Sequence, residues 1–329
     1  MAAGFFVGAR WHGLRRGDAG DSPRRGSPER ILILSDNTRG ILAMCVAMAA
    51  FTLNDAMMKL VTREVPLMQT IAIRGALSIL GLLVLGRVMG GLRFRLAPRD
   101  RRLVAWRTFA EVGATLAFLA ALMQMPLANL SAIMQALPLA VTLAAALFLG
   151  ERVGWRRMAA IGVGFAGVLL IVRPGTEGFD VWSLLGLVSV AFVVVRDLVT
   201  RQFAAALPSV LVALCSAVAV TLMGVAGMAA GGGWQPVDAP DAARLLLASG
   251  ALILGYVSSV QAMRQGDVAM VAPFRYSMLI WATLFGWLLF GTLPDRWTWA
   301  GAALVVGSGL FTLWRERVRQ RGLMRTARP

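Results

Sequence analysis

Histidine and lysine each occur once in this chain of 329 residues, as His12 and Lys59, and cysteine occurs twice, as Cys45 and Cys215. A single histidine in a charged stretch cannot supply a His-Glu-x-x-His zinc site, and the two cysteines show no ligand spacing and no disulfide framework. They are expected as small core residues, with no metal and no cofactor. The lysine follows a methionine rather than a glycine, which excludes a phosphate-binding loop and so an ATP-driven pump within the chain. Charge is scarce as well: 15% of residues are charged, against roughly 25% in an ordinary soluble domain. Water is therefore not the main solvent for this surface.

Apolar residues fill the space, making up 58% of the chain. They gather into ten runs: Gly40 to Leu60, Leu67 to Leu85, Leu103 to Met123, Leu130 to Leu149, Met158 to Val172, Val181 to Thr200, Leu207 to Ala230, Ala242 to Met263, Val268 to Phe290 and Trp297 to Trp314. Most approach the roughly 20 residues that a helix needs to cross a bilayer core. Lipid offers no partner to an unpaired backbone group, and the runs lack the alternation of a β-barrel, so each is expected to be α-helical. The fold class is an all-α polytopic membrane protein with ten transmembrane helices.

The formal charge of +16 invites a nucleic-acid reading, but its placement argues otherwise. With both termini in the cytoplasm, 25 basic residues fall on the inner side, Arg196 and Arg201 among them. The outer side has 5: Lys59, Arg63, Arg173, Arg244 and Arg296. That is the positive-inside asymmetry of a multi-pass inner-membrane protein, and the expected partners are the lipid bilayer and a small-molecule substrate, not nucleic acid. Residues 1–38 mix arginine with glycine, serine and proline and read as a disordered basic cytoplasmic extension. They lack the apolar stretch after a basic start that a cleaved signal peptide needs. Residues 315–329 read as a basic cytoplasmic tail.

The chain repeats itself. Leu127 through Gly150 resembles Val268 through Gly291 at an offset of about 141 residues, with a proline inside each segment and a Phe-(Leu)-Gly ending. Trp155 and Trp297 then open the next helix, and Gly167 and Gly309 lie at matching depth. Two copies, residues 39–174 and 180–314, hold five spans each, and an odd number inverts the second relative to the first. Inverted repeats give many secondary transporters two access states around a site near the midplane.

The segment Leu130 to Arg152, with Pro138 and the closing Phe148-Leu149-Gly150-Glu151, is similar to the EamA-type repeat of the drug/metabolite transporter superfamily. So is Ala272-Pro273-Phe274-Arg275-Tyr276 followed by Phe290-Gly291. The resemblance spans roughly residues 40 to 314 and implies a carrier, not an enzyme, that moves amino acids, nucleotide-like metabolites, vitamins or drugs. The closing glutamate of the family pattern is Glu151 in the first copy and Thr292 in the second, so a paired-glutamate role is excluded.

A charge near a helix centre costs on the order of 2.5–3.5 kcal/mol on insertion scales, so one that persists needs a partner or a task. Asp55 and Lys59 are four apart on the first span, and Arg107 and Glu111 are four apart on the third, so each couple can form an ion pair. Asp55 or Glu111 could instead carry a coupling proton. Arg74 and Arg275 have no such acid on their own helix and could answer one across the bundle or hold a carboxylate or phosphate of the cargo. Gln135 and Tyr256 head the uncharged polar candidates for the pocket, and Tyr276 and Trp281 join Arg275 and Arg74 in it; the bland alternatives are interhelical hydrogen bonding and packing. With both charge signs present, a zwitterion is the compromise cargo. Glycines 162, 164 and 167, and 301, 307 and 309, allow close helix contact, as a scaffold or homodimer face or as packing within one chain. The surviving enzyme alternative is an intramembrane lipid-modifying transferase.

Overall fold

The computed structural model describes residues 35–88, 98–151, 153–174, 180–203, 209–231, 233–265 and 267–326. Residues 1–34 of the expected N-terminal extension and the arginines at 93, 95 and 152 lie outside the described residues, whereas Asp36 to Thr38 of that extension form the first turn of α1. Within them the chain is helical throughout: α1 (Asp36–Val61), α2 (Leu67–Val88), α3 (Pro98–Gln124), α4 (Leu127–Met134), α5 (Leu137–Phe148), α6 (Trp155–Val172), α7 (Trp182–Thr200), α8 (Ser209–Ala230), α9 (Ala239–Gln265), α10 (Val268–Val271), a 3₁₀ turn (Ala272–Tyr276), α11 (Ser277–Phe290) and α12 (Arg296–Thr326). Nine spans among the described residues are long and apolar enough to cross a bilayer, α4 and α5 counting as one. The tenth is Val268 to Phe290, interrupted by the 3₁₀ turn. Proline explains both interruptions: Pro138 sits in the first turn of α5 and Pro273 in the 3₁₀ turn, where neither can donate a backbone hydrogen bond.

Short polar residues start several helices by accepting from orphan amides: Ser35 from Thr38, Asp238 from Asp241, and Asp295 from Thr298. Gly291 ends α11 in the left-handed region with φ 65°, as a helix-terminating glycine does, whereas Arg173 ends α6 there with φ 50° against the preference of a side chain.

The helices pair as a pseudo-two-fold demands. In the two repeats α1 corresponds to α7, α2 to α8, α3 to α9, α4–α5 to α10–α11, and α6 to α12. The largest contacts are α1 on α9 with its symmetry mate α7 on α3, and the two self-paired contacts α2 on α8 and α6 on α12. Side chains repeat the relation. A methyl at Gly255 would sit 2.5 Å from the Phe51 ring, and one at Gly113 would sit 2.6 Å from the Phe192 ring. Small residues let these helices touch, because lipid supplies no hydrophobic drive between apolar helices. The same holds where Gly167 of α6 meets the backbone of Gly301 in α12, so these two helices are packed within one chain. Arg157–Glu316 at one end of that pair and Arg173–Asp295 at the other are ion pairs between the repeats.

The ten crossings place the start of α1 and the end of α12 on one side of the bundle. On the opposite side the two repeats touch each other. Gly224 and Gly227 of α8 lie against Met68 and Ala72 of α2, and the Gln69 side chain exchanges two hydrogen bonds, 2.7 and 2.9 Å, with the backbone of Gln235.

Candidate functional site

A cavity of about 130 Å³ lies on the pseudo-two-fold, between α2, α3, α8 and α9, with Phe51 of α1 and Arg196 of α7 completing its wall. Phe51, Leu82, Val220, Leu252 and Ile253 make much of the lining apolar, while Ser78, Thr115, Ser216 and Ser259 supply hydroxyls. Four charged side chains reach it: Arg74, Arg107, Glu111 and Arg196.

Glu111 holds two of the arginines. Arg196 donates through Nη1 to both carboxylate oxygens at 3.3 and 3.1 Å, and Nη2 of Arg107 lies 3.7 Å from Oε2. Arg107 also donates through Nε to Thr200 at 3.2 Å and through Nη1 to Ser216 at 2.6 Å, and Arg196 donates through Nε to Asp197 at 3.1 Å. Arg107 and Arg196 are among the largest fully buried side chains of the protein. The network ties α3 of the first repeat to α7 and α8 of the second. Arg74 stands apart. It is buried in α2 with its charge in electrostatic reach of Asp55 and Glu111, yet its guanidinium has no hydrogen-bond or ion-pair partner among the described residues.

Of the residues singled out from sequence, the cavity thus gathers Arg74, Arg107, Glu111 and Tyr256. Asp55 lies one turn beyond Phe51 on α1, buried, with Asn54 donating to its Oδ1 at 2.8 Å. The expected Asp55–Lys59 pair does not form. Lys59 extends instead to the end of α3, where its ammonium donates to the carbonyls of Leu122 and Met125 at 2.5 and 2.7 Å, because those terminal carbonyls have no helical partner of their own. It also lies over the Phe290 ring at 5.7 Å, beside Arg63 at 5.1 Å.

The remaining four are not in the wall. Arg275, in the 3₁₀ turn, lies within electrostatic reach of Asp197. Tyr276 packs on Gly309 of α12, its hydroxyl buried without a partner among the described residues. Gln135 sits in the break between α4 and α5, also buried, with its Nε2 unpaired. Trp281 stacks on Phe285 with ring centres 6.2 Å apart. Both cysteines are free and half-buried, so neither is a fully enclosed core residue.

Sequence reasoning misses Asp197 and misplaces Arg196, which the charge asymmetry assigns to the cytoplasmic side. It is 1% exposed and points into the bundle. The repeat held the signal: advancing Asn54-Asp55 by 142 residues lands on Arg196-Asp197, and the same step takes Arg74 to Ser216. In both couples the first side chain donates to the carboxylate of the second.

Comparison with known proteins agrees with this architecture. The model of a family described as the EamA-like transporter family matches residues 38–173 and again residues 180–314. A riboflavin transporter of Rhizobium johnstonii is 31% identical over 62% of this chain and 68% of its own. A pseudopaline exporter of Pseudomonas aeruginosa is 27% identical over 81% of this chain and 93% of its own, and an S-adenosylmethionine uptake transporter of Rickettsia bellii is 25% identical over 58% and 65%. A solved crystal structure superposes with a TM-score of 0.58 at 22% identity, covering 84% of this chain and 98% of the other, which supports the fold.

Proposed function

The chain belongs to the EamA-like transporter family, and on that premise we propose that the central cavity is where it holds its cargo, with Arg74 gripping an acidic group of that cargo. The protein is a carrier of a small metabolite. Its relatives named for riboflavin, S-adenosylmethionine and pseudopaline support a cargo of vitamin or amino-acid-derivative size. One observation carries the choice of Arg74: it is the cavity arginine whose guanidinium has no partner among the described residues, whereas Arg107 and Arg196 are occupied by Glu111. An unpaired buried charge is expensive, and a carboxylate or phosphate from the cargo would relieve it through two parallel hydrogen bonds. The apolar wall around Phe51 and Leu252 suits the less polar remainder of the molecule. A zwitterionic or acidic amphipathic metabolite fits these walls best.

The pseudo-two-fold, with the repeats touching on one side through Gln69, Gln235 and the α2–α8 contact, supports alternating access in which the two repeats exchange closure. The arginine asymmetry supports termini in the cytoplasm and an inner-membrane location.

Counterflow in proteoliposomes tests the site. Radiolabelled riboflavin, S-adenosylmethionine, amino acids and nucleosides are screened for saturable exchange, which needs no known coupling ion. A charge-assisted hydrogen bond contributes about 1.5–3 kcal/mol, so Arg74→Ala should weaken exchange roughly 10- to 100-fold while the protein stays folded. Exchange unaltered in Arg74→Ala would overturn the assignment of Arg74. Exchange lost in Arg275→Ala alone would move the cargo to the 3₁₀ turn.

A further inference from the structure

Three carboxylates of the bundle, Glu111, Asp197 and Asp55, are not equivalent. Glu111 lies between Arg107 and Arg196. Asp197 receives Arg196 at 3.1 Å and has Arg275 within electrostatic reach. Asp55 occupies the matching place in the first repeat, but an asparagine stands where the second repeat has its arginine. Asn54 and Asp55 are 2% and 1% exposed. The Asn54 amide nitrogen donates to Asp55 Oδ1 at 2.8 Å. That leaves two oxygens, Asp55 Oδ2 and Asn54 Oδ1, buried without a donor among the described residues.

Both orphans are acceptors on adjacent side chains, and a proton on Asp55 Oδ2 would supply the donor they lack. An amide and a carboxylic acid pair in this way, N–H to the acid's carbonyl oxygen and acid O–H to the amide's carbonyl oxygen. We infer that Asp55 is a proton-binding site of this carrier, with Asn54 as the acceptor of the bound proton. The proton comes from hydronium, adds to Oδ2 and leaves a neutral carboxyl; release returns it to water and restores the carboxylate.

The surroundings set what the proton competes with. Among the charged groups on elements around α1, Arg74 of α2 is the one in electrostatic reach of Asp55. Arg107 and Glu111 of α3 are engaged with Arg196, and Arg275 of the 3₁₀ turn with Asp197. Tyr276 packs on α12, Tyr256 of α9 lies in the cavity wall, and the other charges of α9, Asp241, Arg244 and Arg264, lie toward its ends. Lys59 is spent on the α3 carbonyls. If Arg74 holds the cargo's acidic group, as proposed above, cargo and Asp55 share one counter-charge. Arrival of an anion leaves the carboxylate uncompensated in a dry site, so anion and proton are carried together.

Infrared difference spectroscopy of the full-length protein in lipid nanodiscs, through a titration from alkaline to mildly acidic pH, reads the carbonyl stretch of protonated carboxyls without any cargo. Expected is a band that titrates in wild type and in Asp197→Asn and is missing from Asp55→Asn. Asn54→Leu keeps Asp55 but removes the acceptor, and should keep the band at a shifted frequency; this variant also decides the matter if Asp55→Asn fails to fold. A titrating band that survives in Asp55→Asn, a wild type with no such band, or a band unmoved in Asn54→Leu would each overturn the inference. The outcome is separable from the cargo assignment, which stands or falls on exchange by Arg74→Ala.

Discussion

Glu111→Gln is the sharpest test of how this bundle tolerates charge. The substitution keeps the size of the side chain and removes the one carboxylate that faces both Arg107, at 3.7 Å, and Arg196, at 3.1 Å. Both arginine side chains are 2% exposed, so water cannot replace the lost charge. With an effective dielectric constant of about 20, attractions at these separations are on the order of 4–5 kcal/mol each before desolvation is counted. Breaking one partner out of a buried pair is strongly destabilising, about 3–5 kcal/mol. At roughly 2–4 °C per kcal/mol for a domain of this general size, thermal unfolding in detergent should fall by on the order of 10 °C. The control is Glu151→Gln, whose pair with Arg201 is formed at 2.9 Å by a carboxylate 52% exposed; it should move the transition by about 4 °C or less, because an exposed pair contributes about 0–1 kcal/mol. Adding Arg196→Gln to Glu111→Gln removes the surplus cation and should recover part of the loss rather than deepen it. A Glu111→Gln midpoint within about 2 °C of wild type, or a double variant whose loss is the sum of the singles, would refute the reasoning.

Gly167→Ala should destabilise by about 1–3 kcal/mol, read by the same melting assay, because its methyl would sit 2.7 Å from the Gly301 carbonyl oxygen. Gly162→Ala, on the same helix with nothing within 4 Å, should be neutral or stabilising. Lys59→Met should loosen the end of α3 and raise the labelling rate of a cysteine placed at Ser78, applied from the side opposite the termini, by on the order of tenfold; an unchanged rate would show that the hook to Leu122 and Met125 does not hold that side shut. Epitope tags on both ends should be accessible only in inside-out vesicles, and access to either from outside would reverse the orientation.

The spans, their number and their inversion follow from the amino-acid order alone, because a bilayer admits a backbone only as a helix and an odd repeat inverts its copy. α2 starts at Leu67 and α6 ends at Val172 where the apolar runs do, and the interruptions at Pro138 and Pro273 are legible for the same local reason. The Arg107–Glu111 contact, four residues apart on one helix, is local too. What tertiary structure decided is the partner of every charge that reaches across helices. Linear order puts Arg196 inside an apolar run and Asp55 four residues from Lys59, but it does not give the way each side chain turns about its helix axis. The pseudo-two-fold packing turns Arg196 onto Glu111, draws Lys59 to the open carbonyls of α3, and sets Arg275 within electrostatic reach of Asp197 while Arg74 lines the cavity. Arg74 and Arg275 look alike in the sequence because each lacks an acid on its own helix. They differ in the fold because one lies in the wall shared by the two repeats and the other in a 3₁₀ turn behind it.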